Sequence, residues 1–299
     1  MHIKTEGDVK TGSLSQMGGT GVFVAALRDA LLADTCDVAV HSLKDLPTGA
    51  APGLSIAATP KRVDVRDVLC ARDGMTLAEL PGGAKVGTGS PRRAAQLRAA
   101  RPDIEVLDIR GNVDTRLGRV PGLPGNLTEE VVPGKSCDLD AVVLAAAGLE
   151  RMDRLDTVSE FFESDVMLPA PGQGALAIEC RTNDAPPRTA GSTEGSNGVL
   201  AQALAALNDD DTRLAVTAER AVLARLEAGC AAPVGAYAFR KGSMLHLEAV
   251  VCAVDGTKTV REKKATDGLT EVGATLLGIE VAELLLAAGA AEIADLAAS

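Results

Sequence analysis

The stretch AKVGTGSPRRAAQLRAA, residues 84–100, has the pattern of a strand that runs into a glycine-rich turn and then into an amphipathic helix. Gly87 and Gly89 permit a tight turn, Ser90 is a favourable N-cap, and Pro91 suits the first helical position. The same alternation is predicted at residues 22–42, 104–111 and 139–149. We therefore predict that the first two thirds of the chain form an α/β structure with mainly parallel sheets.

Composition limits the classes of function that are open to the chain. Its 299 residues carry a formal net charge of −11, and 46% of them are hydrophobic, as in ordinary globular proteins. Aromatic residues make up 2% and Trp is absent, so the stacking surface of single-strand nucleic-acid binders is missing. The acidic balance also argues against general binding to nucleic acids or anionic membranes.

Cysteine usage and the hydropathy pattern point to a reducing compartment. The six cysteines have neither CxxC nor Cys/His spacing, so a disulfide framework or a zinc site is not expected, and no metal is called for. Neither a signal peptide nor a run of membrane-spanning length is visible. We expect a cytoplasmic protein.

The last third has a different pattern. A Pro/Gly/Ser/Thr-rich stretch, residues 181–198, predicts an exposed loop. Beyond it, Asp255 and Gly256 lie between two extended runs and predict a hairpin, and a helix is expected to end at Gly289. This part is predicted to be a small α+β domain.

Arginines are concentrated between residues 86 and 120, a stretch that contains seven arginines and four acidic residues. The arginines are Arg92, Arg93, Arg98, Arg101, Arg110, Arg116 and Arg119. Arg92 and Arg93 fall in the first turn of the predicted helix, where cations oppose the helix dipole. An external anion would resolve this conflict, and two solvated arginines are the alternative. A polycarboxylate suits the arginine forks, and a phosphate suits them almost as well.

Lys44 and Asp45 directly follow a predicted strand, in a loop closed by Pro47. A carboxylate at the carboxyl end of a strand can stabilise a developing positive charge on a ligand. An adjacent Lys/Asp pair is also a common solvated feature of protein surfaces. Both interpretations are open from the residues alone.

Cys230 follows a helix whose apolar positions include Val222 and Leu226 and which is expected to stop at Gly229. A loop thiol beside a glycine is accessible, and its thiolate could carry a covalent group. The alternative is a small buried side chain, which is common for a free cysteine. In a separate segment, prolines and glycines surround Gln173 and predict either a hinge or a rigid turn.

Six motifs together resemble the porphobilinogen deaminase family, whose members are also called hydroxymethylbilane synthases. They occur in the family's order between about residue 5 and residue 289. The motifs are AVHSLKDLPT, VGTGSPRRAAQL, IRGNVDTRL, VLAAAGLER, LPAPGQGALAIE and TAERAVLARLEAGCAAPVGAYA. A match of this length is far more specific than a single glycine-rich loop.

The resemblance implies an α/β protein with two domains of the periplasmic-binding-protein type and a small C-terminal α+β domain. The implied ranges are 1–62 with 174–208 for the first domain, 63–173 for the second and 209–299 for the third. The third domain would carry a dipyrromethane cofactor, held by a thioether to the residue that matches Cys230.

The resemblance also assigns roles to individual residues. The family's catalytic aspartate matches Asp45, with Lys44 beside it. Residues expected to bind the cofactor, in addition to Cys230, are Lys44, Asp45, Ser90, Arg92 and Arg93. Residues expected to bind the substrate are Arg110, Arg116, Arg151, the crossover glutamine Gln173, and the aromatic Phe23.

The implied substrate is porphobilinogen, which carries an acetate and a propionate on its pyrrole. The implied reaction removes ammonia from the aminomethyl arm to give an electron-deficient azafulvene, which the terminal pyrrole of the growing chain attacks. Four condensations and a hydrolysis release linear hydroxymethylbilane. The many carboxylates of the growing chain account for the cluster of arginines.

Two departures from the family pattern bear on these expectations. Lysines of many relatives are replaced here by Gln16 and Thr20. Relatives also begin with a strand and helix that contain a TRxSPLA-like segment, so we expect the first domain to be incomplete and the native protein to extend upstream of Met1. Two other interpretations are a non-catalytic polycarboxylate-binding protein and a family member impaired by the missing start. We expect a monomer that binds neither nucleic acid nor membrane.

Overall fold

The structure is a computed structural model that describes residues 21–125, 137–187, 195–228, 232–294 and 296, with no side-chain description for residues 21–23. The helices are α1 (Gly21–Leu32), α2 (Pro91–Ala100), α3 (Val113–Leu117), α4 (Ala146–Arg151), α5 (Val199–Leu207), α6 (Asp210–Arg225), α7 (Glu271–Ala287) and α8 (Ala290–Ile293). The strands are β1 (Ala39–Ser42), β2 (Leu54–Ala58), β3 (Asp67–Ala71), β4 (Lys85–Thr88), β5 (Glu105–Asp108), β6 (Ala141–Ala145), β7 (Glu160–Phe161), β8 (Leu176–Arg181), β9 (Val234–Lys241), β10 (Met244–Cys252) and β11 (Thr259–Thr266). A short 3-10 turn, Leu43–Asp45, directly follows β1.

The first sheet has the strand order β1-β8-β2, with β8 antiparallel to both neighbours. Helix α1 packs on it because Leu31 is fully buried against Ala39 and Leu54. The pattern in α1 that predicted a helix is therefore confirmed, whereas the predicted parallel pairing is wrong for this sheet. Strand β8 returns from the second sheet, and its direction is set by that return path and not by its own residues.

The second sheet has the order β5-β4-β6-β3-β7. Its strands β4, β5 and β6 run parallel, as predicted, but β3 is antiparallel to β6 and to β7. Its core lies on both faces, with Leu69, Val86 and Phe162 on one side and Val68 and Ile109 on the other. Because β3 runs against β6, it begins at the same edge at which β4, β5 and β6 end.

The third sheet is an antiparallel meander, β11-β10-β9, covered by α6 and α7. The predicted hairpin is confirmed, since Cys252 pairs with Thr259 across a turn in which Gly256 has a φ of 77°. Gly289 follows α7 with a φ of 90°, as expected for a helix-ending glycine. Helix α6, however, ends at Arg225, and Glu227 takes the left-handed conformation with a φ of 53°.

Two segments join the first and second sheets and lie side by side. Residues 59–66 lead out, residues 168–175 lead back, and the Val63 N–H donates to the Gly174 carbonyl at 3.0 Å. Gly174 has a φ of 79°, and a Cβ there would lie 2.7 Å from the Val63 carbonyl oxygen. Only glycine fits this close crossing of the two segments. The segment around Gln173 is therefore a tight turn packed against the outgoing chain.

Candidate active site

Parallel strands bring the predicted site segments to one edge of the second sheet. The turn with Ser90 follows β4, the segment with Arg110 and Arg116 follows β5, and α4 with Arg151 follows β6. Ser90 caps α2, since its side-chain oxygen accepts a hydrogen bond from the Arg93 N–H at 3.5 Å. This is the edge at which ligands bind in open α/β sheets.

A buried carboxylate, Asp67, lies among these arginines because β3 begins at the same edge. The Asp67 carboxylate accepts a hydrogen bond from Arg92 Nη1 at 2.7 Å and from Arg93 Nε at 2.8 Å. Arg92 also donates to the Leu168 carbonyl at 2.6 Å, and Arg93 to the Val143 carbonyl at 3.1 Å. Arg92 is 4% exposed and Arg93 6%, so these side chains are held inside the protein.

Burial and charge oppose each other at Asp67. Burial of the fully enclosed carboxyl raises its pKa, but the guanidinium groups of Arg92 and Arg93 outweigh that effect and hold the pKa well below its usual range. Burial lowers the pKa of Arg92, and the nearby Asp67 carboxylate partly offsets this. Asp67 is therefore ionised at neutral pH and neutralises only part of the arginine charge.

Gln173 connects this cluster to the loop after β1. Its amide nitrogen donates to Asp67 Oδ1 at 2.9 Å and to the Val65 carbonyl at 2.8 Å, while its amide oxygen accepts from Lys44 Nζ at 3.3 Å. Lys44, Gln173, Arg92 and Arg93 are thus brought together around Asp67. Burial, assisted by repulsion from Arg93, lowers the pKa of Lys44 to about 8.

Asp45 lies beside Lys44 at the end of the 3-10 turn, and its side chain is exposed. Desolvation by surrounding protein atoms raises the pKa of Asp45, while Lys44 and His41 lower it in part. Because the side chain reaches water, solvation limits this rise. Within the described residues no hydrogen bond to its carboxylate is formed, so the carboxylate is available to a ligand.

Arg110 and Arg116 lie on the open side of the same edge and are half-buried. Arg110 Nη2 donates to Asp108 at 3.2 Å, and Arg116 Nε donates to the Gly111 carbonyl at 2.9 Å. Burial, followed by repulsion from Arg93 and Arg110, lowers the pKa of Arg116 to about 10. Burial and the two neighbouring guanidinium groups therefore outweigh the effect of the Asp108 carboxylate on Arg116.

The remaining arginines of residues 86–120 serve internal contacts. Arg98 donates to the Val254 carbonyl at 2.8 Å, Arg101 binds Asp103 and the Leu80 carbonyl, and Arg119 binds Asp138 at 2.8 Å. These three side chains are therefore engaged within the protein. Arg92 and Arg93 are buried and not solvated. An internal carboxylate, that of Asp67, pairs with both of them.

Several predicted site residues are not joined to this cluster by any contact that the structure describes. Arg151 is exposed at the end of α4, and Phe23 lies in α1 without a described side chain. Cys230, Gln16 and Thr20 lie outside the described residues.

Sequence reasoning missed Asp67 and also missed Glu219 of α6. Glu219 is fully buried, accepts a hydrogen bond from the Gly172 N–H at 2.7 Å and pairs with Arg62 at 2.8 Å. A signal for Asp67 and for Arg62, the partner of Glu219, was present in the alternating charges of residues 62–67, RVDVRD, which lie between two apolar segments. Such a run is unusual where the chain enters a buried strand.

The described residues show neither a metal-binding cluster nor a helix suited to a membrane. No group of three or more His, Cys, Asp or Glu side chains there is arranged to hold a metal ion. None of the helices in the described part of the chain combines the length and apolar character needed to cross a membrane.

Comparison with known proteins gives consistent matches along the chain. Residues 1–188 match the family model "Porphobilinogen deaminase, dipyromethane cofactor binding domain", and residues 213–287 match "Porphobilinogen deaminase, C-terminal domain". A porphobilinogen deaminase of Cutibacterium acnes is 55% identical over 99% of this chain and 88% of its own length. Those of Leifsonia xyli and Thermobifida fusca are each 52% identical, over 98% and 99% of this chain and 84% and 86% of their own lengths.

Among solved structures, a YaeC-family lipoprotein of Enterococcus faecalis is similar over 61% of this chain and 75% of its own, with 16% identity and a TM-score of 0.34. That likeness carries no argument about function or fold detail. The periplasmic-binding-protein type of the first two domains stays a prediction.

Proposed function

This chain belongs to the porphobilinogen deaminase family, and we propose that the cationic edge of its second sheet is where the carboxylates of cofactor and substrate bind. The protein has the family's activity: it condenses four porphobilinogen molecules head to tail, with loss of ammonia, into linear hydroxymethylbilane. Its cofactor is dipyrromethane, as the matching cofactor-binding domain indicates. A non-catalytic polycarboxylate-binding protein is not favoured by relatives of this identity.

The observation that carries the proposal is the charge balance at the edge. Three cationic side chains, Lys44, Arg92 and Arg93, surround the single buried carboxylate of Asp67, and Arg116 lies close enough to Arg93 to be repelled by it. Within the described residues, the buried Nε atoms of Arg92 and Arg110 have no hydrogen-bond acceptor. Acetate and propionate groups supply the missing charge and acceptors.

The dipyrromethane fits this arrangement. When bound, it supplies the terminal pyrrole to which porphobilinogen units are added. We propose that Ser90, Arg92, Arg93 and Lys44 hold its carboxylates, and that Arg110, Arg116, Arg151 and Gln173 serve the substrate, with Phe23 beside it. Gln173, in the set proposed to serve the substrate, contacts Lys44, in the set proposed to hold the cofactor. The same amide also contacts the buried Asp67.

Asp45 is the proposed catalytic carboxylate. It lies next to the cationic cluster, is exposed, and accepts no hydrogen bond within the described residues. Loss of ammonia from porphobilinogen leaves a positively charged species, and an ionised carboxylate beside it stabilises that charge. Lys44 helps keep Asp45 ionised, since it lowers the pKa that desolvation raises.

Cys230 is the proposed attachment residue for the cofactor. Of the described cysteines, Cys70, Cys180 and Cys252 are buried, and burial raises the pKa of each thiol to about 11. Such thiols are poor nucleophiles at neutral pH. Cys137 is exposed and provides a matched control.

The test combines intact mass with turnover. Protein made in cells that supply porphobilinogen should carry a two-pyrrole adduct that is lost in Cys230→Ser and kept in Cys137→Ser. With the adduct loaded, Asp45→Ala should lower turnover on the order of 10²-fold or more. Asp37→Ala, which removes an exposed carboxylate paired with Arg181, should not. A bare mass from Cys230-containing protein, or near-normal turnover of Asp45→Ala, would refute the corresponding assignment.

We further propose a three-domain division at residues 1–62 with 174–208, 63–173 and 209–299, and a monomeric protein of the cytoplasm. In support, each of the three sheets takes all its strands from one of these ranges. Cys36, Cys70, Cys180 and Cys252 are free thiols, as is usual in a reducing compartment.

A further inference from the structure

Arg220 of α6 holds the backbone of the loop that follows Asp45. Its two terminal nitrogens donate to consecutive carbonyl oxygens, Nη1 to Leu46 at 2.9 Å and Nη2 to Pro47 at 2.6 Å. A planar guanidinium suits such a pair of acceptors, whereas a lysine ammonium is a single point charge. The loop is therefore fixed to α6 directly after the proposed catalytic carboxylate.

The placement of Asp45 depends on its backbone. No side-chain hydrogen bond to its carboxylate is formed within the described residues, while the flanking Leu43 and Leu46 are buried in one cluster with Val216 of α6. The Leu46 N–H donates to the Leu43 carbonyl at 3.1 Å and closes the 3-10 turn. Apolar packing of Leu43 and Leu46 holds the loop against α6. The two hydrogen bonds from Arg220 fix the backbone that directly follows Asp45.

The preceding residue of the same helix holds the other functional segment. Glu219 accepts hydrogen bonds from the N–H groups of Gly172 at 2.7 Å and Ala238 at 2.8 Å. Its partner Arg62 donates to the Gln173 carbonyl at 2.7 Å. Adjacent residues of α6 thus hold the Asp45 loop and the Gln173 turn in one frame.

We propose that Arg220 is a positioning residue for the reaction: it holds the loop that carries the Asp45 carboxylate at a fixed place on α6. This inference rests on the proposed role of Asp45. Displacement of a reacting or stabilising group by about 1 Å can cost on the order of 10²-fold in rate.

The chain offers a control in Arg213, which lies on the same helix. Arg213 also donates to two consecutive backbone carbonyls, those of Ile56 at 3.4 Å and Ala57 at 2.9 Å. These two residues belong to strand β2 and not to the Asp45 loop. Arg213 also donates to Asn208 Oδ1 at 2.8 Å, so Arg213→Met should lower thermal stability as Arg220→Met does. Only Arg220→Met should disturb the Asp45 loop.

Three measurements separate positioning from stability. With cofactor loading verified by intact mass, Arg220→Met should lower kcat by on the order of tenfold to a hundredfold, with KM for porphobilinogen within about twofold. Arg213→Met should keep kcat within about twofold of the parent. In Cys230→Ser protein, which carries no cofactor, adding Arg220→Met should speed hydrogen exchange of the amides of residues 43–46 at least about tenfold, and adding Arg213→Met should not.

Arg220→Lys keeps the charge but cannot span both carbonyls, so its kcat should lie closer to that of Arg220→Met than to that of the parent. Equal kcat values for Arg220→Met and Arg213→Met, or full rescue by lysine, would overturn the inference. Near-normal turnover of Asp45→Ala would instead refute the role of Asp45, and the hydrogen-exchange result would still decide whether Arg220 holds the loop.

Discussion

Two pairs of arginines lie at the same edge of the second sheet and have different surroundings. The inner pair, Arg92 and Arg93, is buried and shares the carboxylate of Asp67. The outer pair, Arg110 and Arg116, is half-buried, and Arg116 is repelled by other arginines. The buried carboxylate of Asp67 therefore neutralises part of the charge of the inner pair, whereas the acid paired with the outer pair, Asp108, is exposed.

The difference follows from strand direction. Strand β3 runs antiparallel to β6 and starts at the edge where β4, β5 and β6 end, so its first residue, Asp67, meets the first turn of α2. Within the described residues, the only acid paired with the outer pair is Asp108, whose side chain is 65% exposed. An exposed pair of this kind contributes little stability and leaves Arg110 able to change partner.

The largest expected effect is on the inner pair. Asp67→Asn leaves two buried guanidinium groups without a counter-charge, which should lower the free energy of unfolding by about 3–5 kcal/mol. Urea denaturation of the variant measures the loss. The matched control is Asp103→Asn, because the Asp103 side chain is 50% exposed and pairs with Arg101. It should cost no more than about 1 kcal/mol. Equal losses for both variants would remove the distinction between the two pairs.

The outer pair should affect binding and not stability. Arg116→Met removes a donor for a ligand carboxylate, a loss of about 1.5–3 kcal/mol, or roughly a tenfold to hundredfold rise in KM for porphobilinogen. Stability should change little, because the substitution also relieves repulsion from Arg93 and Arg110. Steady-state kinetics and urea denaturation measure the two effects.

Arg98→Met gives the opposite control for Arg116→Met. Arg98 donates to the carbonyls of Val254 and Val106, away from the outer pair, so its loss should lower stability and leave KM unchanged. An unchanged KM in Arg116→Met would show that the outer pair does not bind the substrate.

The smallest expected effect is a pH dependence that originates at Lys44, which Gln173 links to Asp67 of the inner pair. Its pKa is about 8, so activity should decline as the pH rises through 8 and the ammonium loses its proton. Lys44→Arg keeps its charge and should move this decline to higher pH. A decline at the same pH in both proteins would assign it to another group.

Unfolding does not account for that decline. The pKa of Lys44 is about 8 in the folded state, lowered from an ordinary value of 10.5. Between these two pH values the unfolded state therefore binds more protons than the folded state. The contribution of Lys44 to stability therefore rises with pH across this window. Thermal unfolding followed at pH 7 and pH 9 in the two proteins separates its contribution from that of other groups.

Local patterns in the sequence predicted much of the fold correctly. Ser90 and Pro91 marked the start of α2, Gly256 the hairpin, and Gly289 the end of α7, because each acts through its own backbone or cap geometry. Strand direction was predicted wrongly for β3 and β8. Alternation of apolar residues fixes which side chains are buried but carries no information on which way the chain enters a sheet.

The candidate site was predicted only in part, because its local motifs are visible in the sequence and its long-range contacts are not. Lys44, Gln173, Arg92 and Arg93 were named from their motifs, and the structure brings them together around Asp67. Asp67, Glu219 and Arg220 were not named, because their partners lie far away in the sequence. The Arg220 contacts to Leu46 and Pro47, for example, span 174 and 173 residues.

The sequence by itself determined the family, the reaction, the cofactor and the residue types gathered at strand ends, because these follow from motifs that are local and read in order. Only the tertiary structure decided which arginines pair with the buried Asp67. It also decided that α6 holds both the Asp45 loop and the Gln173 turn. Charge pairing depends on distances across the fold, and two crossings between sheets bring these distant residues within hydrogen-bond range.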